Sequence, residues 1–194
     1  MRKLLWAVAA LAALTLSGCG YNDFQTKDEQ VKAAWAEVLN QYKRRADLIP
    51  NLVNTVKGYA QHEERVLTEV TNARAKVGST QLTTDDLNNP EKLKQFQAAQ
   101  GELSSALSRL MVVTENYPNL KSDQSFRDLQ AQLEGTENRI AVERMRFNEV
   151  AQAFNTKRSR FPTVLFASLF GSRFAEKPYF QAQPGADVAP KVKF

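Results

Sequence analysis

From Val31 to Val77, seam positions recur at alternating steps of four and three residues: Val31, Trp35, Val38, Tyr42, Arg45, Ile49, Leu52, Val56, Tyr59, Glu63, Val66, Val70, Ala73 and Val77. That repeat puts one stripe on one side of an α-helix, and a stripe this long must be buried against other helices. Every member but Arg45 and Glu63 is apolar or aromatic. Gly78-Ser79 ends the seam, and the polar stretch from Gly78 to Asn89 reads as a loop with a short turn at Thr84 to Leu87. Asn89-Pro90-Glu91 then has the make-up of a helix start: a capping side chain, proline at the first helical position and an acid in the first turn. A second seam runs through Leu93, Phe96, Gln100, Leu103, Leu107, Leu110, Thr114 and Tyr117, and Pro118 stops it. A third follows a Ser122-Asp123 cap through Phe126, Leu129, Leu133, Thr136, Ile140, Glu143, Phe147, Val150 and Phe154. Nothing alternates with period two. The predicted fold is all-α, an antiparallel helical bundle with a long first helix kinked at Pro50 and a short C-terminal segment.

Pro50 could instead reverse the chain and give four helices of similar length. The seam stays in phase across it, and neither glycine nor a good cap stands beside Leu48-Ile49-Pro50. These features favour a kink, although Ile49 before proline disfavours helical angles. A kink leaves a mismatch, because residues 90 to 117 return only about 42 Å against about 70 Å climbed from Val31 to Val77. Val31, Trp35, Val38 and Tyr42 would then lack a partner within the chain. Such a stripe predicts an association surface and a homo-oligomer.

The chain of 194 residues holds one Cys and one His, too few nitrogen and sulfur ligands for a zinc site and too few thiols for an internal disulfide. No G-x-S-x-G, G-x-G-x-x-G or G-x-x-x-x-G-K-[ST] string occurs. No catalytic residue, metal or cofactor is therefore predicted.

The N-terminus reads as an address. Arg2 and Lys3 precede an apolar run from Leu4 to Leu16, and Ser17-Gly18 are small residues suited to a signal peptidase. Thirteen residues rise about 20 Å as a helix, short of the roughly 30 Å hydrocarbon core, so a secretory signal is favoured over a span. Its end, Leu16-Ser17-Gly18-Cys19, resembles a bacterial lipobox. By that resemblance Cys19 carries a diacylglycerol thioether and, after cleavage, an acylated N-terminus (palmitate or a similar chain), a permanent membrane anchor. The expected organisation is a lipoprotein signal at 1–18, a lipidated N-terminus and linker at 19–30, the bundle at 31–180 and a flexible tail at 181–194. The expected place is the cell envelope, facing the periplasm. Gly20 rather than Asp follows Cys19, which in a two-membrane cell implies the outer membrane rather than the inner. Removal of Arg2 and Lys3 lowers the formal net charge from +5 to +3, and an exported protein meets no nucleic acid. Modest attraction to anionic lipid is the better use of that charge.

The segment Arg44-Arg45-Ala46-Asp47-Leu48-Ile49-Pro50-Asn51-Leu52-Val53, continued by Val56-Lys57-Gly58-Tyr59-Ala60 and His62-Glu63, resembles the signature of the LemA family. So do Val70 to Arg74 (V-T-N-A-R), Glu115 to Lys121 (E-N-Y-P-N-L-K), Gly135 to Ile140 (G-T-E-N-R-I) and Phe161-Pro162. The resemblance covers about residues 21 to 181. It implies a membrane-attached, extracytoplasmic helical bundle with no catalytic residues to carry over. Many members resemble single-span membrane proteins at the N-terminus, whereas this chain shows a lipobox.

Arg45, Glu63 and Glu143 are charges at core-facing positions, where they must pair across helices in a polar layer or snorkel from the seam edge. His62-Glu63 is half of H-E-x-x-H, but Val66 takes the second ligand position. Glu63, Glu64 and Glu69 are the carboxylates from which acid/base chemistry would have to be built. Phe161 to Phe170 is apolar but too short to span a bilayer; docking on the bundle, touching a membrane or receiving a partner are its three readings. The expected function is a non-catalytic scaffold or adaptor among unidentified envelope proteins. A membrane-shaping protein using Lys157, Arg158 and Arg160, or a hydrolase using the acids near His62, are the alternatives.

Overall fold

The computed structural model describes residues 2–80, 82–161, 163–164, 167 and 171–181; the side chains of residues 2–21, Asp85, Ser172 and Arg173 lie outside the description. Among the described residues five α-helices can be given bounds: α1 Arg2–Tyr59, α2 Glu64–Ser79, α3 Pro90–Thr114, α4 Pro118–Ser122 and α5 Gln124–Ser159. Short 3-10 turns occupy Thr84–Asn88 and Gly171–Phe174. The described elements are all helical, as the seams require.

The caps form where the sequence places them. Asn89 Oδ1 accepts from the amides of Glu91 and Lys92 at 3.1 and 3.2 Å, and Asp123 accepts from the amide of Phe126 at 2.9 Å. Each satisfies N–H groups that the first turn leaves open.

The first seam is not one helix. Pro50 lies inside α1, which runs through it without reversing. The break comes later, at Ala60–Glu63, where α2 begins and doubles back so that Arg74 reaches Ala46. Tyr59 and Glu63 both sit on the seam, so its phase survives a turn that periodicity cannot see. The usable signal was Gly58, near the helix end, where glycine weakens helical order.

Proline costs a helix its bond to the carbonyl four residues earlier. Here that acceptor is Ala46 O, and Arg74 Nε of α2 donates to it at 2.9 Å. The guanidinium replaces the missing amide and lets α1 continue.

From Asp23 to Tyr59 helix α1 packs on α5, and over its upper part on α2, while α3 packs on α2. The α1 and α5 pairing is antiparallel and keeps one register. Asp23 meets Lys157, Phe24 stacks on Phe154, Trp35 meets Phe147, Arg45 meets Glu137 and Tyr59 meets Asp123.

Two apolar clusters result. The upper one gathers Ile49, Leu52, Val56, Val70, Leu103, Leu110, Leu120 and Phe126; the lower one gathers Phe24, Val31, Trp35, Val38, Tyr42, Phe96, Phe147, Phe154, Phe174 and Phe180. This corrects the expectation for Val31, Trp35, Val38 and Tyr42, which are buried inside their own chain rather than left for a partner. Trp35 is fully buried among Phe96, Phe147 and Phe180, with ring centroids 6.0, 5.4 and 5.6 Å away. The length mismatch is real, but α5 extends over 36 residues and the C-terminal segment covers what remains. With these four residues covered by their own chain, the seam lengths no longer require a second copy.

That segment is a strap. Phe174, Lys177 and Phe180 are buried at every third residue. Asn155 exchanges two bonds with the backbone of Lys177 at 2.8 and 2.9 Å, and Asn148 does the same with Phe180 at 3.0 and 2.9 Å. Seven helical residues rise about 10 Å, and three extended residues cover about the same length, so the two amides fall at matching points. Of the apolar stretch at 161–170, Thr163 and Ala167 are buried while Phe161 and Val164 are exposed; Pro162, Leu165, Phe166 and 168–170 lie outside the described residues, as does the tail expected beyond Gln181.

Candidate functional site

Arg45 divides the two clusters. Its side chain is almost wholly buried, and its terminal nitrogens donate to Glu137 Oε1 at 2.6 Å, Ser104 Oγ at 2.9 Å, Gln100 O at 3.3 Å and Gln100 Oε1. Glu137 is 44% exposed, so the pair runs from the core to the surface. Gln100 and Thr136 are buried at the same level. A guanidinium gathers these ligands because it presents several donors in a fixed plane. The predicted charge at the core is thus paired across helices.

The other two members are elsewhere. Glu63 stands at the α1–α2 turn and accepts from Tyr117 Oη at 2.9 Å. That bond to a carboxylate pushes the Tyr117 phenol above its usual range. Glu143 lies nearer the lower end, 3.9 Å from Arg146 of its own helix. One layer of Arg45, Glu63 and Glu143 does not exist. Arg45's partners, Gln100, Ser104 and Glu137, went unnamed as such, although Gln100 was already the polar member of the second seam and Glu137 lies within G-T-E-N-R-I.

A second buried charge pair went unpredicted. Asp28 and Lys177 lie 2.8 Å apart with side chains 5% and 3% exposed, and Lys32 adds a contact to Asp28 at 2.9 Å. Lys177 also donates to Asn88 Oδ1 at 3.1 Å and stands 5.0 Å from the Phe154 ring centroid. Burial pushes the Asp28 carboxyl up, but hydrogen bonds and charge from Lys177 and Lys32 outweigh it and hold the group below its ordinary value. No periodicity marks Lys177, so nothing in the sequence pairs it with Asp28.

A cleft of about 550 Å³ beside Arg45, bordered by α3 and α5, is lined in part by Lys94, Ser105, Glu137 and Arg144. Its polar groups largely answer one another: Glu137 holds Arg45, and Arg144 donates to Gln181 O at 2.8 Å. His62 is exposed in the α1–α2 turn. Among the described residues no group of three or more His, Cys, Asp or Glu could hold a metal ion, and no helix is long and apolar enough to cross a membrane. The Cys19 side chain lies outside the described residues.

The signature strings meet in space. R-R-A-D-L-I-P reaches G-T-E-N-R-I through Arg45 and Glu137, and V-T-N-A-R through Arg74 and Ala46. H-E reaches E-N-Y-P-N-L-K through Glu63 and Tyr117. The LemA family profile matches residues 34–194. The chain belongs to the LemA family. It is 28% identical over 202 residues to a magnetosome protein MamQ of Paramagnetospirillum magneticum, covering 96% of this chain and 72% of the relative. Against the magnetosome protein MamQ of Magnetospirillum gryphiswaldense it is 29% identical over 214 residues, covering 98% and 77%. Protein LemA of Metamycoplasma hominis is 22% identical over 136 residues, covering 70% and 58%. In this LemA-family chain, the signature side chains that meet across helices act as ties between helices.

Proposed function

We propose that this LemA-family protein is a non-catalytic helical scaffold of the cell envelope, attached to a membrane through lipid on Cys19. One observation carries the reading: α1 is a single helix from Arg2 to Tyr59, so the residues that would be anchored and the residues that organise the core share one rod. A bundle built this way transmits the position of its anchor to its far end without a flexible linker. The relatives are named for the magnetosome and for the family, not for a reaction, and Arg45, Arg74, Glu63 and Lys177 are engaged in ties within the bundle. Fatty-acid labelling of the native chain and of Cys19→Ala tests the attachment. Label on the native protein that disappears in the variant is the expected result; label kept by Cys19→Ala overturns it.

A further inference from the structure

We propose that the lower end of the bundle, presented by Arg160, Phe161 and Val164, rests in the surface of an anionic lipid membrane. The proposal rests on attachment near Cys19, and the register of α1 against α5 supplies its geometry.

As the α1 residue falls from Tyr59 to Asp23, its α5 partner rises from Asp123 to Lys157. Phe24 stacks on Phe154 at 4.7 Å. Cys19 lies five residues, about 7.5 Å, below Phe24 along the same helix, and Ser159 lies five residues below Phe154. Phe161 therefore emerges at the level of Cys19. A lipid on that cysteine would bring both to the same depth.

Phe161 is 81% exposed. The core does not need it, because Phe24, Phe154 and Phe174 already close the lower cluster, with Phe174 4.5 Å from Phe24. Nor does it swing freely: Val164 N donates to Arg160 O at 2.9 Å, and buried Thr163 and Ala167 fasten the segment to the bundle. With positions 163 and 167 turned inward, 161 and 164 are held outward. An exposed aromatic and a valine beside an arginine suit the boundary between headgroups and acyl chains.

The charge agrees. Residues 22–27 and 157–161 carry four cations, Lys27, Lys157, Arg158 and Arg160, against the one acid Asp23, a net +3. Lys157 and Asp23 are 3.0 Å apart, and Arg158 donates to Phe174 O at 2.8 Å, so these groups also brace the end they decorate. Asp23 offsets part of that charge, and the net positive rim around an apolar tip attracts anionic headgroups.

The test uses the full chain reconstituted in vesicles whose lipids are brominated at shallow acyl positions. Tryptophan quenching is compared between the native protein and Phe161→Trp, an exposed site where the substitution leaves the core intact. Phe161→Trp should add a quenched, blue-shifted component, larger by about twofold in vesicles containing phosphatidylglycerol than in phosphatidylcholine alone. No added quenching in a sample whose Cys19 carries lipid overturns the proposal while leaving attachment standing. Added quenching without lipid on Cys19 upholds the contact and overturns its dependence on the anchor. Equal quenching in both vesicle types overturns the requirement for anionic lipid.

Discussion

Arg74 Nε stands 2.9 Å from the carbonyl oxygen of Ala46, the acceptor that Pro50 leaves without its amide. A proline inside a helix, here nine residues before the end of α1, would ordinarily bend or end it. Here another helix supplies the missing donor, so the proline string and the V-T-N-A-R string are two halves of one device. The device also fixes α2 against α1 at a defined height, because only one carbonyl on that face is vacated.

A double-mutant cycle isolates it. Arg74→Met should destabilise the protein by about 1.5 to 3 kcal/mol, the range for hydrogen bonds to charged groups. In a Pro50→Ala background the alanine amide can serve Ala46 itself, and the loss from Arg74→Met should shrink to less than half. Urea titrations of the four proteins measure the coupling. Equal losses in both backgrounds would show that Arg74 acts independently of Pro50.

The Arg45 level gives a different ordering of substitutions. Glu137→Gln leaves a buried guanidinium without its counter-ion and should cost about 1 to 3 kcal/mol, reduced from the fully buried case because Glu137 is partly exposed. Arg45→Met removes the charge itself and should cost less than Glu137→Gln, since an apolar side chain suits a site between two apolar clusters. Glu143 is 20% exposed, with Arg146 only at 3.9 Å and a buried carboxylate oxygen without a hydrogen-bond partner, so Glu143→Gln, which removes that charge, should leave stability unchanged or raise it. Thermal melts rank the three; a loss for Glu143→Gln as large as that for Glu137→Gln would contradict this assignment.

How far the sequence could be read follows from which signals are local. Asn89-Pro90 and Asp123 are read correctly because a cap is a property of three or four neighbours. The all-α class is legible because the 3.6-residue period is repeated many times. The α1–α2 turn is hidden because Tyr59 and Glu63 keep the seam in step across it, while the visible breaker, Pro50, is repaired by Arg74 from 24 residues away. The strap is hidden for the opposite reason: Phe174, Lys177 and Phe180 are too few to establish a period. Arg45 was legible as a buried charge needing a partner, but its choice of Glu137 over Glu143 depends on the register of α5, which no local signal carries.

Acid should act on Asp28. Its folded carboxyl titrates below the ordinary value of 3.8, so its stabilising contribution is present above the unfolded value and is lost as pH falls through the lower folded one. Asp28→Asn leaves Lys177 buried without its carboxylate and should be less stable near neutrality by about 3 to 5 kcal/mol. Between about pH 5 and 7 that gap should be constant, and it should narrow progressively below about pH 4. Asp86 and Asp123, also held low, titrate in both proteins and cancel in the difference. A gap unchanged down to about pH 2 would assign the acid sensitivity elsewhere.

Trp35 decides between a chain completed by itself and one completed by a second copy. Its ring lies among Phe96 of α3, Phe147 of α5 and Phe180 of the strap, so three elements distant in sequence meet on one side chain. Trp35→Ser should empty that space and cost about 3 to 5 kcal/mol, the usual penalty for deleting a large buried aromatic. The strap should loosen first, because Phe180 loses its stacking partner while Asn148 and Asn155 still hold its backbone. Limited proteolysis should therefore cut near residues 175–181 before the helices melt. Sedimentation of the full chain in detergent should give the same subunit number for parent and variant. A variant that melts like the parent but sediments as a smaller particle would return Trp35 to an intermolecular surface, and with it the unpaired lower helix that the seam lengths first suggested.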